Sequence, residues 1–192
     1  MIRIYFTILS CWMMAFCVYG QQRGIQISAG FAYAENTDIL MTPDTKAHTG
    51  IFIGLTSRLR PSKRFSIYGS VKYVDLEFIA HGSEDYFTRT ETMKWTKFRL
   101  GGVFKIIEIN KSSNIRLQAA IPLNLLLSFP DDLVNAPYDR FNPFTTGVAF
   151  GVGADLWGIT IDFEYEIGVL DQITNVSEST FNYWDLGVGV MF

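Results

Sequence analysis

Between Asn182 and Phe192 the chain reads NYWDLGVGVMF, and its residues sort by parity. Trp184, Leu186, Val188, Val190 and Phe192 fall on one parity; Tyr183, Asp185, Gly187, Gly189 and Met191 fall on the other. Side chains of an extended strand point alternately to its two faces, so this stretch has one apolar face and one small or polar face. Chain ends usually lie in water, yet this one keeps its amphipathic pattern to the last residue.

The same period of two recurs along the chain. Residues 24–33 set Ile25, Ile27, Ala29, Phe31 and Tyr33 against Gln26, Ser28, Gly30 and Ala32, and residues 50–59 set Ile51, Ile53 and Leu55 against Gly54, Thr56 and Arg58. Residues 65–78 form a third strand. Beyond Val74 its phase shifts, with Leu76 and Phe78 apolar on the other parity, which predicts a bulge or a strand rising above a membrane. Strand four alternates through Phe98, Leu100, Phe104 and Ile106, and strand five covers residues 115–127, with a break expected at Pro122 because proline donates no ladder hydrogen bond. Residues 147–156 and 159–169 form strands six and seven, and the opening stretch is strand eight.

The connections alternate too. Residues 34–49, 81–92, 129–144 and 171–181 are long and polar or proline-bearing, whereas 60–64, 110–114 and 157–158 are short. This placement, with every long loop at one end, is that of an up-and-down barrel in an outer membrane. The expected fold is therefore all-β, an eight-stranded antiparallel up-and-down transmembrane β-barrel.

In such a barrel one parity faces lipid and the other the lumen. A charge at the bilayer midplane costs about 2 to 4 kcal/mol for Arg or Lys, so the charged parity belongs inside. Strands three to five are basic there, with Lys72, Lys97, Arg99, Lys105 and Arg116; strands six to eight are acidic, with Asp155, Asp162, Glu164, Glu166 and Asp185. In a ring of eight these walls face each other. The interior is only wide enough for side chains to fill, so an ion-paired plug is expected instead of a channel. Tyr33, Tyr73 and Trp184 are candidates for an outer aromatic girdle, and Phe65, Trp157 and Phe192 for an inner one.

Residues 1–20 have a single positive charge at Arg3, an apolar run from Ile4 and small-residue flanks at Val18 and Gly20. This is a cleavable signal-peptide pattern, leaving 21–192 as one barrel domain. Cys11 and Cys17 are the only cysteines and lie within the leader, so no disulfide or thiolate site is expected. Loss of Arg3 moves the formal charge from −3 to −4, and no nucleic-acid partner is expected. Two separated histidines, His48 and His81, and scattered carboxylates give no metal pattern, and no cofactor is expected. Gly151 and Gly153 lie inside an unbroken alternation, unlike a phosphate loop.

The terminal strand, with Trp184, Leu186, Val188, Val190 and Phe192 on one face, resembles the closing strand and assembly signal of outer-membrane β-barrels. That resemblance implies recognition by the barrel assembly machinery. The whole of 21–192 resembles the small outer-membrane barrel families: PorT-like, OmpX-type and OmpA-type. It implies a place in the cell outer membrane, in contact with outer-membrane lipid, and the PorT-like case implies a link to protein secretion and gliding. His81, Gly82, Ser83 and Glu84 resemble the H-x-S of the lipid A deacylases, where a Ser-His-Glu arrangement makes serine nucleophilic. Here the motif falls in a loop, whereas in that family it lies on a strand. The expectation is a non-enzymatic barrel with a filled lumen, acting through its long loops on an extracellular or envelope protein. The alternatives are a lipid-modifying enzyme of the deacylase type and a soluble secreted ligand-binding barrel.

Overall fold

The computed structural model describes residues 24–36, 48–59, 63–78, 91–110, 113–128, 142–171 and 180–192. The expected leader at 1–20, the His81–Ser83 motif and most of the long connections lie outside them. Eight strands follow one another: β1 (Ile25–Asn36), β2 (His48–Leu59), β3 (Phe65–Phe78), β4 (Glu91–Asn110), β5 (Ser113–Ser128), β6 (Phe144–Leu156), β7 (Ile159–Gly168) and β8 (Phe181–Met191). Each pairs antiparallel with the next, and β1 pairs with β8 from Gln26↔Met191 to Asn36↔Phe181, closing the barrel. Closure leaves no strand edge with unpaired backbone groups, the condition for crossing hydrocarbon.

The pleat divides the side chains as the alternation requires. Ile27, Ile53, Leu100, Ile121, Phe150 and Val188 are exposed on the outer wall, whereas Ser28, Lys72, Arg99, Arg116 and Asp185 are buried within. A barrel dissolved in water has the reverse arrangement, and an exposed apolar surface of this extent is a membrane or interaction surface.

Three local expectations need correction. The ladders of β3 with β2 and β4 run without a register shift past Val74, so there is no bulge there. Val74 and Leu76 stay on the inner parity and are buried with Ala32, Ala34, Phe52, Met93, Trp95 and Tyr183. The hydropathy phase changes because the outer part of the lumen is itself apolar. The register irregularities lie instead between β4 and β5, at Lys94/Trp95, Lys105/Ile107 and Glu108/Asn110. Finally, His48 opens β2, paired with Ala34, and is not a loop residue; β6 likewise begins at Phe144 instead of at 147.

Pro122 does interrupt pairing. The β5–β6 ladder passes from Ala120↔Ala149 to Leu123↔Thr146 in unchanged register, and Thr146 Oγ1 donates to the Pro122 carbonyl at 2.6 Å. The β6–β7 hairpin turns on Trp157 and Gly158, with φ of 50° and 94°. Two positive φ values match the twist of a tight hairpin, easily for glycine and at a cost for tryptophan. Trp157 is 81% exposed at that tip, where its indole suits a membrane interface.

Candidate functional site

Inward side chains from all eight strands meet in two tiers along the barrel axis. In the inner tier, Arg58 of β2 reaches across to Asp155 of β6, with Nη1 2.9 Å from Oδ2. Its Nη2 donates to Gln26 Oε1 at 2.6 Å, and Gln26 Nε2 donates to Asp162 Oδ2 at 2.8 Å. Arg116 of β5 completes the tier, with Nη2 2.7 Å from Asp162 and 3.2 Å from Asp155. Its room comes from Gly153, the residue paired with it on β6, where a Cβ would overlap the guanidinium.

The outer tier has three cations and three carboxylates. Lys72 Nζ donates to Glu164 at 2.7 Å and to Asp185 at 2.8 Å. Arg99 contacts Glu164, and its two terminal nitrogens lie 3.2 Å from Asp185 and 3.2 Å from Glu166. Lys97 Nζ donates to Glu166 at 3.0 Å and sits 3.6 Å from the centroid of the Tyr183 ring; Lys72 lies over Phe52 at 4.7 Å. Amides fill remaining carboxylate positions, Gln118 donating to Glu164 at 2.8 Å and Asn124 to Glu166 at 2.6 Å. Each tier is thus neutral: Arg58 and Arg116 against Asp155 and Asp162, and Lys72, Lys97 and Arg99 against Glu164, Glu166 and Asp185. Charges removed from water are tolerated when paired in this way, and most of these pairs are also hydrogen-bonded, Arg116 being held by ion-pair contacts alone.

Two small spaces adjoin the network. A void of about 10 Å³ lies between the tiers, lined by Ser28, Thr56, Tyr68 and Gln118, and one of about 30 Å³ lies above Lys97 and Glu166, walled by Leu76, Met93, Trp95 and Phe181. A water needs roughly 10 to 15 Å³ of such volume, so these spaces suit single waters.

Nine of the ten charges singled out from the sequence meet in the network. Lys105 does not. It is buried on the inner parity, but its Nζ lies 3.5 Å from Glu108 of its own strand, a half-exposed carboxylate, and it does not reach the acidic wall. The β4 irregularity beside it accounts for this, because the register with β5 shifts between Lys105 and Ile107. Sequence reasoning missed Arg58, Gln26, Gln118, Asn124 and Tyr183. All five have the inner parity, but four are uncharged, and Arg58 stands beside a basic turn that reads as solvated. On β8, Trp184, Leu186, Val188 and Val190 alternate with buried neighbours. Trp184 stacks on Tyr33 across the seam at 4.9 Å, and the Phe192 N–H donates to the Ile25 carbonyl at 2.8 Å. No cluster of three or more metal-ligating side chains occurs among the described residues.

No family model matches this chain, and no curated protein matches it. Solved structures do. The outer membrane enzyme PagL superposes with a TM-score of 0.56 at 10% identity, covering 86% of this chain and 98% of PagL. Neisserial surface protein A, NspA, superposes with a TM-score of 0.50 at 15% identity, covering 88% of this chain and 97% of its own. At these identities the likeness is one of fold. The chain has the closed eight-stranded antiparallel barrel of the small outer-membrane proteins.

Proposed function

We propose that this protein is an integral outer-membrane barrel without catalytic activity, closed along its axis by its own charges and working through its long connections. In this reading the segments 37–47, 79–90, 129–141 and 172–179 lie on the external side and contact an extracellular or envelope protein. Lipid surrounds the wall, residues 1–20 direct export, and the apolar face of β8 is read by the assembly machinery. The neutral two-tier network is the observation that carries the reading. A transport channel needs a continuous wet path with spare field for its solute; here every lumen cation of the two tiers is spent on a carboxylate. A PorT-like secretion role is one form of this function.

Planar-bilayer recording of the refolded barrel tests the plug: negligible conductance is expected, and large stable single-channel currents overturn it. Pulldown from outer-membrane extracts with intact and loop-deleted barrels tests the partner. Capture of the same protein by both forms counts against action through the loops. The enzymatic alternative predicts that His81→Ala or Ser83→Ala abolishes a change in lipid acylation produced by the wild type.

A further inference from the structure

Among the described residues the cations of the lumen all have carboxylate partners, but Lys63, Arg64 and Lys94 on the outside do not. Lys63 and Arg64 are exposed in the link before β3, and neither has a salt-bridge partner among the described residues. Arg64 is nevertheless held in place. Its carbonyl accepts from the Lys105 N–H at 2.9 Å, and its guanidinium carbon lies 5.1 Å from the centroid of the Phe104 ring. Phe104 faces outward, and Phe65, paired directly with it across β3 and β4, is exposed beside it. The Phe65 ring in turn lies over Gly102, where an added Cβ would come within 3.1 Å of it. The guanidinium is therefore folded back against the apolar wall at the end of the barrel that has the short turns. It does not extend away into water.

A cation in that position is partly desolvated on its aromatic side and has donors to spare on the other. A guanidinium offers five N–H groups in a planar fork suited to phosphate. Where a barrel wall leaves the hydrocarbon, the anion at that height is the phosphodiester of a phospholipid. We propose that Arg64, assisted by Lys63, binds the phosphate of an inner-leaflet phospholipid whose acyl chain lies over Phe65 and Phe104. The proposal rests on the membrane reading above and adds to it a defined lipid contact.

Spin-labelled lipids test it. The barrel is reconstituted in phosphatidylcholine vesicles containing either labelled phosphatidylglycerol or labelled phosphatidylcholine, and the immobilised fraction is measured by electron paramagnetic resonance. The wild type should prefer phosphatidylglycerol on the order of fivefold, the equivalent of about one surface cation's attraction. The Lys63→Gln, Arg64→Gln double variant should lose the preference, Arg64→Lys should retain part of it, and Lys94→Gln, at the far end of β4, should leave it unchanged. Heat-modifiable gel mobility verifies that each variant is folded. Equal preference in the wild type and the double variant overturns the proposal, as does loss of preference in millimolar inorganic phosphate, which would mark a site for free anions. Absence of any immobilised lipid, with either label, overturns the membrane reading itself.

Discussion

Glu166 shows what a single lumen residue contributes. It accepts from Lys97, Arg99 and Asn124 and is almost wholly buried. Glu166→Gln leaves Lys97 without a carboxylate, and breaking a buried pair from one side costs about 3 to 5 kcal/mol. The urea midpoint of the folded barrel should fall accordingly. Glu108→Gln removes the partner of Lys105, but that contact is long and half exposed, so the loss should stay below about 1 kcal/mol. Equal midpoints for the two variants would mean that the outer tier is wet. Glycines divide in the same way. Gly153→Ala displaces the Arg116 guanidinium from its carboxylates and should destabilise by about 1 to 3 kcal/mol, whereas Gly69→Ala, whose Cβ would meet nothing nearer than 3.9 Å, should be close to neutral. A shared cost would place Arg116 elsewhere. At this scale the sequence identified the charged members by parity except Arg58; the amides and Tyr183 were invisible, because nothing local distinguishes a glutamine that bridges two strands from one that faces water.

At the scale of the strand, β8 separates two environments one residue apart. Val188 faces outward and is 56% exposed, while Gly187 faces the Phe52 ring, with a Cβ there only 2.5 Å from Phe52 Cζ. Val188→Arg should cost about 2 to 4 kcal/mol by placing a charge in lipid. Single cysteines at the two positions should differ in labelling: position 188 should react with a lipid-phase reagent and 187 with neither lipid-phase nor aqueous reagents. The opposite result would describe a soluble barrel. β3 shows where the strand pattern misleads. Its alternation never breaks, but the environment of its inner face changes from charged at Lys72 to apolar at Val74 and Leu76, and a hydropathy pattern cannot tell a change of facing from a change of surroundings.

For the whole molecule, closure is the decisive event. The seam between β8 and β1 runs over eleven residue pairs from Gln26↔Met191 to Asn36↔Phe181, with the Phe192 N–H bond to Ile25 beyond them. Deleting Phe192 removes that bond and an exposed aromatic side chain, and should lower the folded fraction on heat-modifiable gels well below that of a deletion at Asn175. Equal fractions would show that the seam tolerates a shorter β8. Until the seam forms, Arg58, Lys72, Lys97 and Arg99 on β2 to β4 are not held across from the acidic wall of β6 to β8, and only Arg116, Gln118 and Asn124 of the neighbouring β5 reach it. Completion of the tiers therefore goes with closure of the ring, and a destabilised lumen should appear as incomplete assembly as well as lower stability.

The sequence by itself determined the number of strands, the sign of each wall and, except on β3 beyond Val74, the face that its residues take, because strand parity and the cost of charge in lipid are local rules that read straight from residue order. It also determined that the long connections share one end. Only the tertiary structure decided which cation meets which carboxylate. Arg58 finds Asp155 across the ring, Arg116 turns to β6 and β7, and Lys105 falls short of the acidic wall, since these outcomes depend on register, on the irregularities of β4 and on the space left by Gly153. The apolar outer lumen was decided there too: Ala34, Phe52, Met93 and Trp95 come from three strands, and they become one surface only when the sheet closes on itself.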